Sequence, residues 1–223
     1  MQENTIVVGG IIPFGAFGGK ALCWRVLDVD VQNGRALLLT EDIIEKRSYH
    51  SSYTDVTWEE CALRRYLNGD FLTDFGTDKS RIAQVTNANP DNPWYGTAGG
   101  DSTTDKVFLL SIDEAVKYFG DSGDLKNRKG WYYENGKDVL KDGKGWWIND
   151  QYNSKRIAKY ENRTWWWWLR SPGGHSDRAA GVDDDGSLSV IGDYVHHSEC
   201  GVRPALWLNL ELNLTAAGRS KYV

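Results

Sequence analysis

Trp165-Trp166-Trp167-Trp168-Leu169-Arg170-Ser171-Pro172-Gly173-Gly174 and Gly201-Val202-Arg203-Pro204-Ala205-Leu206-Trp207-Leu208 form two rigid apolar anchors, and a polar stretch from His175 to Cys200 runs between them. Three of the four histidines in the chain fall in that stretch, which contains no Lys, Asn, Gln, Met, Phe or Trp. A stiff frame presenting a changeable polar surface is how a recognition module is built. Strands are predicted over about 165–169, 179–183, 187–191 and 202–208, with Asp184-Asp185-Gly186 as a hairpin turn. Strand side chains alternate faces, so two of the four tryptophans should point inward. Such a run is more often core than binding platform. Arg170 and Arg203 stand among apolar neighbours. They should be buried, and held by ion pairs or carbonyls rather than by a ligand; Asp28, Asp30 and Glu59 are candidate partners.

Outward from this frame, residues 21–40 look like a β-hairpin. Val26-Leu27-Asp28-Val29-Asp30-Val31 has a period of two, Ala36-Leu37-Leu38-Leu39 answers it, and Asn33-Gly34 supplies the turn. A first helix is predicted over about Trp58–Leu67, with Thr57 and Glu60 as a capping box and Trp58, Ala62 and Tyr66 facing the core. A second is predicted over about Ile112–Phe119, with Ser111 and Glu114 as the box and Gly120 as the stop. Val107-Phe108-Leu109-Leu110 reads as a short buried strand. Residues 86–106 and 120–163 are rich in Asn, Asp, Gly and Lys and read as long loops, the second pinned by Tyr132, Tyr133, Trp146 and Trp147.

Composition sets the outer bounds. The 223 residues show no linker, so one domain is expected over 1–223, with a scaffold of about 1–164 and a ligand-binding region of about 165–208. A net charge of −5 argues against nucleic acid as a partner. Cys23, Cys61 and Cys200 are too scattered for a disulfide framework or a metal knuckle, and Cys23 and Cys61 fall in predicted core elements. No signal peptide or membrane span is evident. The expectation is cytoplasmic synthesis, with display on a phage particle or cell surface left open, as is the oligomeric state.

Several motifs carry a resemblance: Trp24-Arg25-Val26-Leu27, Thr57-Trp58-Glu59, Leu63-Arg64-Arg65-Tyr66-Leu67-Asn68, Val107-Phe108-Leu109-Leu110-Ser111, Trp168-Leu169-Arg170-Ser171-Pro172 and Gly201-Val202-Arg203-Pro204-Ala205-Leu206. With these the chain resembles a bacterial family described as domain of unknown function 6273. Its tail is similar to C-type-lectin-like domains, including the formylglycine-generating-enzyme-like branch and the variable proteins of diversity-generating retroelements. The resemblance implies an α+β C-type-lectin-like fold with two helices, mixed and antiparallel sheets and long loops. It also implies a fixed scaffold with a diversified C-terminal face. In those systems reverse transcription errs at template adenines. Randomising the adenines of AAC or AAT codons cannot yield Lys, Gln, Glu, Met or Trp, and from Gly174 to Cys200 only Glu199 breaks that rule.

The expected ligand-binding residues are His175, Ser176, Asp177, Arg178, Asp183, Asp185, Ser187, Ser189, Asp193, Tyr194, His196, His197 and Ser198. They should be mostly exposed on one contiguous surface, with Ala179, Val182, Leu188, Val190 and Val202 beneath. The alternation Ser187-Leu188-Ser189-Val190 puts both serines on the outer face. The ligand would be a macromolecule or glycan on another cell or surface. No metal or cofactor is expected: His196-His197 face opposite ways in a strand, and Asp184-Asp185 sit in a turn. Catalysis is not expected either. Ser171 lies outside any nucleophile elbow, and Cys200 has no near partner of the kind formylglycine-generating enzymes use. A constant carbohydrate-binding or adhesion module is the alternative, with exposed Trp stacking on sugars. An oxidase of the formylglycine-generating type would need two cysteines within disulfide reach or a bound metal.

Overall fold

The hairpin over residues 21–40 forms as its turn chemistry dictates. Strands Lys20–Asp30 and Arg35–Thr40 pair antiparallel, and Gly34 takes the left-handed φ of 60° that the turn needs. Asp30 fastens the turn by accepting from the backbone N–H and side-chain amide of Asn33. A computed structural model describes residues 6–141, 143, 145–210, 212–214 and 220–222. The class is mixed α+β, with many strands and few helices.

Two sheets carry the architecture. The first runs in the order Ile11–Phe17, Lys20–Asp30, Arg35–Thr40, Ala205–Asn209, Ile82–Ala83, and Val107–Phe108 also pairs with Ala205–Asn209. The second anchor thus supplies a central strand between N-terminal partners, with Leu206 opposite Leu38 and Val107. The second sheet runs Lys137–Lys141, Gly130–Glu134, Trp147–Ile148, Leu188–Tyr194, Arg178–Val182, Trp167–Pro172, Gly201–Val202, Glu45–Lys46. Trp167–Pro172 and Gly201–Val202 pair parallel; the other ladders of this sheet are antiparallel. Buried side chains from both sheets and both longer helices make one apolar cluster.

Two of the four tryptophans are fully buried, but they are the neighbours Trp167 and Trp168 rather than alternate residues. Both faces of Trp167–Pro172 are covered, so alternation does not expose either ring. Each buried indole keeps its donor satisfied: Trp167 Nε1 reaches Arg156 O at 3.1 Å and Trp168 Nε1 reaches Arg47 O at 2.9 Å.

Helix Ile112–Phe119 has the predicted bounds and both halves of its capping box. Glu114 does double duty. Besides capping Ser111 N–H, its carboxylate takes the Arg170 guanidinium in a bidentate pair, and Arg170 also donates to Leu109 O at 2.7 Å and Ala88 O at 3.2 Å. This locks the helix N-terminus onto the tryptophan strand. Arg170 and Arg203 are 4% and 2% exposed, as expected. Their expected partners are wrong. Asp30 pairs with Arg35 at 3.1 Å, Asp28 lies 3.9 Å from Lys117, and Glu59 offers its backbone carbonyl to Arg64. Arg203 is held by backbone carbonyls alone among the described residues.

The first helix is shorter than predicted, Ala62–Asn68, and its core side chains are Leu63 and Leu67 rather than Ala62 and Tyr66. Cys61, not Thr57, is the N-cap, its sulfur accepting from Arg64 N–H at 3.3 Å. Trp58 is held back in a turn because its indole donates to Asp105, 47 residues away. Asp105 is a hub: it also accepts from Asn87, from Thr103 Oγ1 at 2.7 Å and from Arg64 Nε at 2.6 Å. Cys23 is exposed, against expectation, because it alternates with buried Trp24 on its strand.

The two long irregular stretches are more ordered than their composition suggests. Val85–Asn87 and Thr103–Asp105 pair as a small ladder, and Gly130–Glu134 with Lys137–Lys141 make a hairpin. Short helices occur at Asp70–Thr73, Asp124–Asn127 and Asn153–Arg156, so the count exceeds the two expected. Asn92 staples the first loop down: its side-chain amide donates to Pro172 O and Val190 O, while its carbonyl accepts from Trp94 and Tyr95 N–H.

Candidate functional site

The polar stretch folds as a hairpin of Arg178–Val182 and Leu188–Tyr194 inside the second sheet. Ala180, Val182, Leu188 and Val190 point inward and are fully buried. The pairs Ala179–Asp193 and Gly181–Ser189 lie on the opposite face. Between them the second strand carries two extra residues, a bulge made possible by Gly192 at φ 67°. A Cβ on Gly192 would collide with the Ala179 carbonyl.

Of the thirteen predicted residues, eleven fall in two adjoining patches; Ser187 is an outlier, and Ser198 stands exposed beyond His197 and lines neither cleft. In the first patch Asp183, Asp184, Ser189 and Asp193 line a cleft of about 340 Å³ with Trp166 and Trp168. Burial pushes the Asp183 carboxyl up to about 6, and the neighbouring charges of Asp185, Asp184 and Asp193 push the same way. Only Ser187 Oγ, 3.3 Å away, opposes the shift. Asp185 stands exposed at the turn and caps Ser187 N–H at 2.8 Å.

The second patch lies at the far end of the same two strands. His175, Ser176, Asp177, Arg178 and Tyr194 line an open cleft of about 390 Å³ with Asp55. The Arg178 guanidinium lies 4.4 Å from the centre of the Tyr194 ring. Tyr194, His196 and His197 pack ring against ring, and Tyr53 joins them at 5.4 Å from Tyr194 and 5.3 Å from His196. Asp177 beside Tyr53 raises the phenol above its usual value. His197 Nδ1 reaches Asp193 at 3.1 Å, which joins the two patches.

His175, Ser176, Asp185, His196 and Ser198 are exposed, and Asp177, Arg178, Asp183, Ser189, Asp193, Tyr194 and His197 are half-buried. Ser187 is the outlier, 3% exposed. The predicted alternation fails there because the strand begins only at Leu188; Ser187 still belongs to the turn, where its hydroxyl braces Asp183. Of the residues expected beneath, Val182, Leu188, Val190 and Val202 are buried there; Ala179 is buried too, but on the outer face, where it lines the first cleft.

Tyr53 and Asp55 were not predicted. They come from the loop before the first helix, which is tied to the polar stretch by His50 N–H to Val195 O at 2.7 Å and Val56 N–H to Ser176 O at 3.0 Å. Their one sequence signal is a large aromatic residue set among small polar ones, Ser51-Ser52-Tyr53-Thr54-Asp55. Nothing local to those five residues says which surface they will join.

Trp146 and Trp147 are half-buried and pack on each other and on Tyr132, so neither offers a free platform. All three cysteines are free thiols. Burial pushes the Cys61 thiol up to about 12 and holds the Cys200 thiol well above its usual value. No group of three metal-ligating side chains occurs among the described residues.

The family model described as domain of unknown function (DUF6273) matches residues 33–210, most of the chain, and the chain belongs to that family. No curated protein and no solved structure matches it.

Proposed function

We propose that this member of the DUF6273 family is a non-enzymatic ligand-binding protein. Its C-terminal region, about 165–208, would carry a diversified recognition surface on a C-type-lectin-like scaffold, in the manner of the variable proteins of diversity-generating retroelements. One observation carries the reading. The inward residues of the hairpin are sealed in the core, while twelve of the thirteen named polar residues reach solvent and Ser187 alone does not. Identity at the exposed outer positions, such as His175, Ser176, His196 and Ser198, should thereby be largely uncoupled from folding. Tyr194 and His196 offer contact area at low entropic cost, and Ser and Asp supply adaptable hydrogen bonds. The ligand would be a macromolecule or glycan on another cell or surface. Neither a cofactor nor nucleic acid enters this reading.

The test is genetic and biophysical. The flanking DNA should hold a near-copy of the codons for about 165–205, differing only at adenines, beside a reverse transcriptase gene. Chains that differ only at the outer positions should bind different targets on a panel of glycans and bacterial cells. A unique locus, together with identical targets for all such variants, would reject diversification.

A second reading, a constant carbohydrate-binding module, has its own support. Tyr53, Tyr194 and His196 form an exposed ring cluster beside Asp55 and Asp177, a combination suited to stacking on a sugar and bonding its hydroxyls. That reading moves the sugar platform from tryptophans to Tyr53. Oxidase chemistry of the formylglycine-generating type has less support, since a reactive cysteine needs a lowered thiol pKa and both buried thiols are raised.

A further inference from the structure

We propose that a third cleft, between the N-terminal hairpin and helix Ile112–Phe119, binds a small organic anion: a carboxylate carried on an apolar body. This cleft shares no lining residue with the two clefts of the recognition surface and does not depend on that reading. Its volume is about 380 Å³, within the range of small-ligand sites.

The case rests on Arg203, which lines the cleft. Of the three buried arginines, Arg170 has Glu114 and Arg156 has Asp150 as carboxylate partners. Arg203 has none among the described residues. Its Nε donates to Thr40 O at 2.9 Å, Nη2 to Glu41 O at 3.0 Å and Nη1 to Arg156 O at 3.4 Å. These are neutral acceptors, and they account for three of the five N–H donors of a guanidinium. Burial, with the nearby Arg25 charge, pulls its pKa down to about 10, and the more distant Glu41 and Asp42 carboxylates offset this only in part. The rings of Trp167 and Phe119, at 5.0 and 5.7 Å, cover it but bring no full charge.

The remaining lining completes the chemistry. Arg25 is neutralised by a bidentate pair with Glu41. Lys155 stands exposed on the rim, near the Tyr152 ring. Three cations therefore line the cleft with one carboxylate, and an entering anion would meet both Lys155 and Arg203, whose guanidinium no carboxylate pairs directly among the described residues. Leu27, Phe119 and Ile157 form the apolar wall, which bare phosphate would leave unused. A carboxylate on an aromatic or branched aliphatic body satisfies both halves.

Amide NMR titration of the intact chain would decide, with benzoate as probe, benzyl alcohol as its neutral counterpart and inorganic phosphate as the bare anion. Benzoate should give saturable shifts at Leu27, Phe119 and Ile157. Lys155→Glu, on the exposed rim, should weaken it at least about tenfold by removing one charge-assisted contact. Ile157→Trp should abolish it by filling the cleft. Unchanged melting temperatures show that both variants fold, and Arg203→Lys gives a third, milder test. The proposal is overturned if benzoate shows no saturable shift, if benzyl alcohol binds as well, if phosphate alone reproduces the shifts, or if Lys155→Glu and Ile157→Trp fold and bind benzoate unchanged.

Discussion

Asp105 and Asp183 are both aspartates drawn out of water, and their surroundings could hardly differ more. Asp105, 1% exposed, receives an indole, an amide, a hydroxyl and the Arg64 guanidinium. Asp183 has one serine hydroxyl and three neighbouring aspartates. The first is a joint of the frame, where every acceptor site is answered and the carboxylate organises four segments. The second belongs to the outer face, where like charges are left together because no structural partner is required of them. The contrast teaches where the molecule places its constraints: the Asp105 carboxylate is fully answered within the frame, while the Asp183 carboxylate on the hairpin is answered by one hydroxyl.

The largest effect should come from breaking a frame joint. Arg170→Ala leaves the Ala88 and Leu109 carbonyls and the Glu114 carboxylate without their donor, and should lower stability by about 3–5 kcal/mol in urea unfolding. A loss within a few tenths would place Arg170 with the surface. Gly192→Ala comes next. The added methyl meets the Ala179 carbonyl and φ is left-handed, so about 2 kcal/mol should be lost although the position lies on the polar hairpin. This sharpens the comparison, because the backbone of the hairpin belongs to the frame even where its side chains do not.

Asp183→Asn should act in the opposite direction, and only above a certain pH. The carboxyl is raised in the folded state, from 3.8 to about 6, so the folded chain holds the proton more tightly than the unfolded one. That preference is fully available below about pH 4 and is lost as pH rises through 6, leaving a buried charge that destabilises the fold. The amide should therefore add about 1–2 kcal/mol at pH 7.5, after allowance for screening by water, and almost nothing at pH 3.5. A pH-independent difference would show that Asp183 is held as firmly as Asp105. The smallest effect belongs to the outermost residues. Changing His175, Ser176, Asp185, His196 and Ser198 should cost within about ±0.5 kcal/mol each in thermal melts.

Legibility followed the range of the interactions. The hairpin at Asn33-Gly34 and helix Ile112–Phe119 could be read because their signals are local: a turn dipeptide, and a serine three residues ahead of a glutamate. The start of the first helix could not, because Trp58 answers to Asp105 rather than to its neighbours. Glu114 was readable as a cap but not as the partner of Arg170, 56 residues away. On the outer face, composition marked the polar stretch, and the inward apolar residues followed from alternation. Tyr53 did not, since only the fold brings that loop beside Tyr194.

The placement of Ala205–Asn209 has a consequence for how the protein is made. This strand sits in the middle of the first sheet, beside Arg35–Thr40, yet it leaves the ribosome only after the polar stretch that precedes it. The hairpin over residues 21–40 must wait, with its inner edge unpaired, until the polar stretch and the strand after it have been synthesised. Any message that breaks off or shifts frame within the polar stretch yields a chain without its keystone strand, with an open sheet edge that chaperones and proteases recognise. Only chains read through the polar stretch to Ala205–Asn209 can complete the first sheet, so its closure depends on both anchors being made in frame.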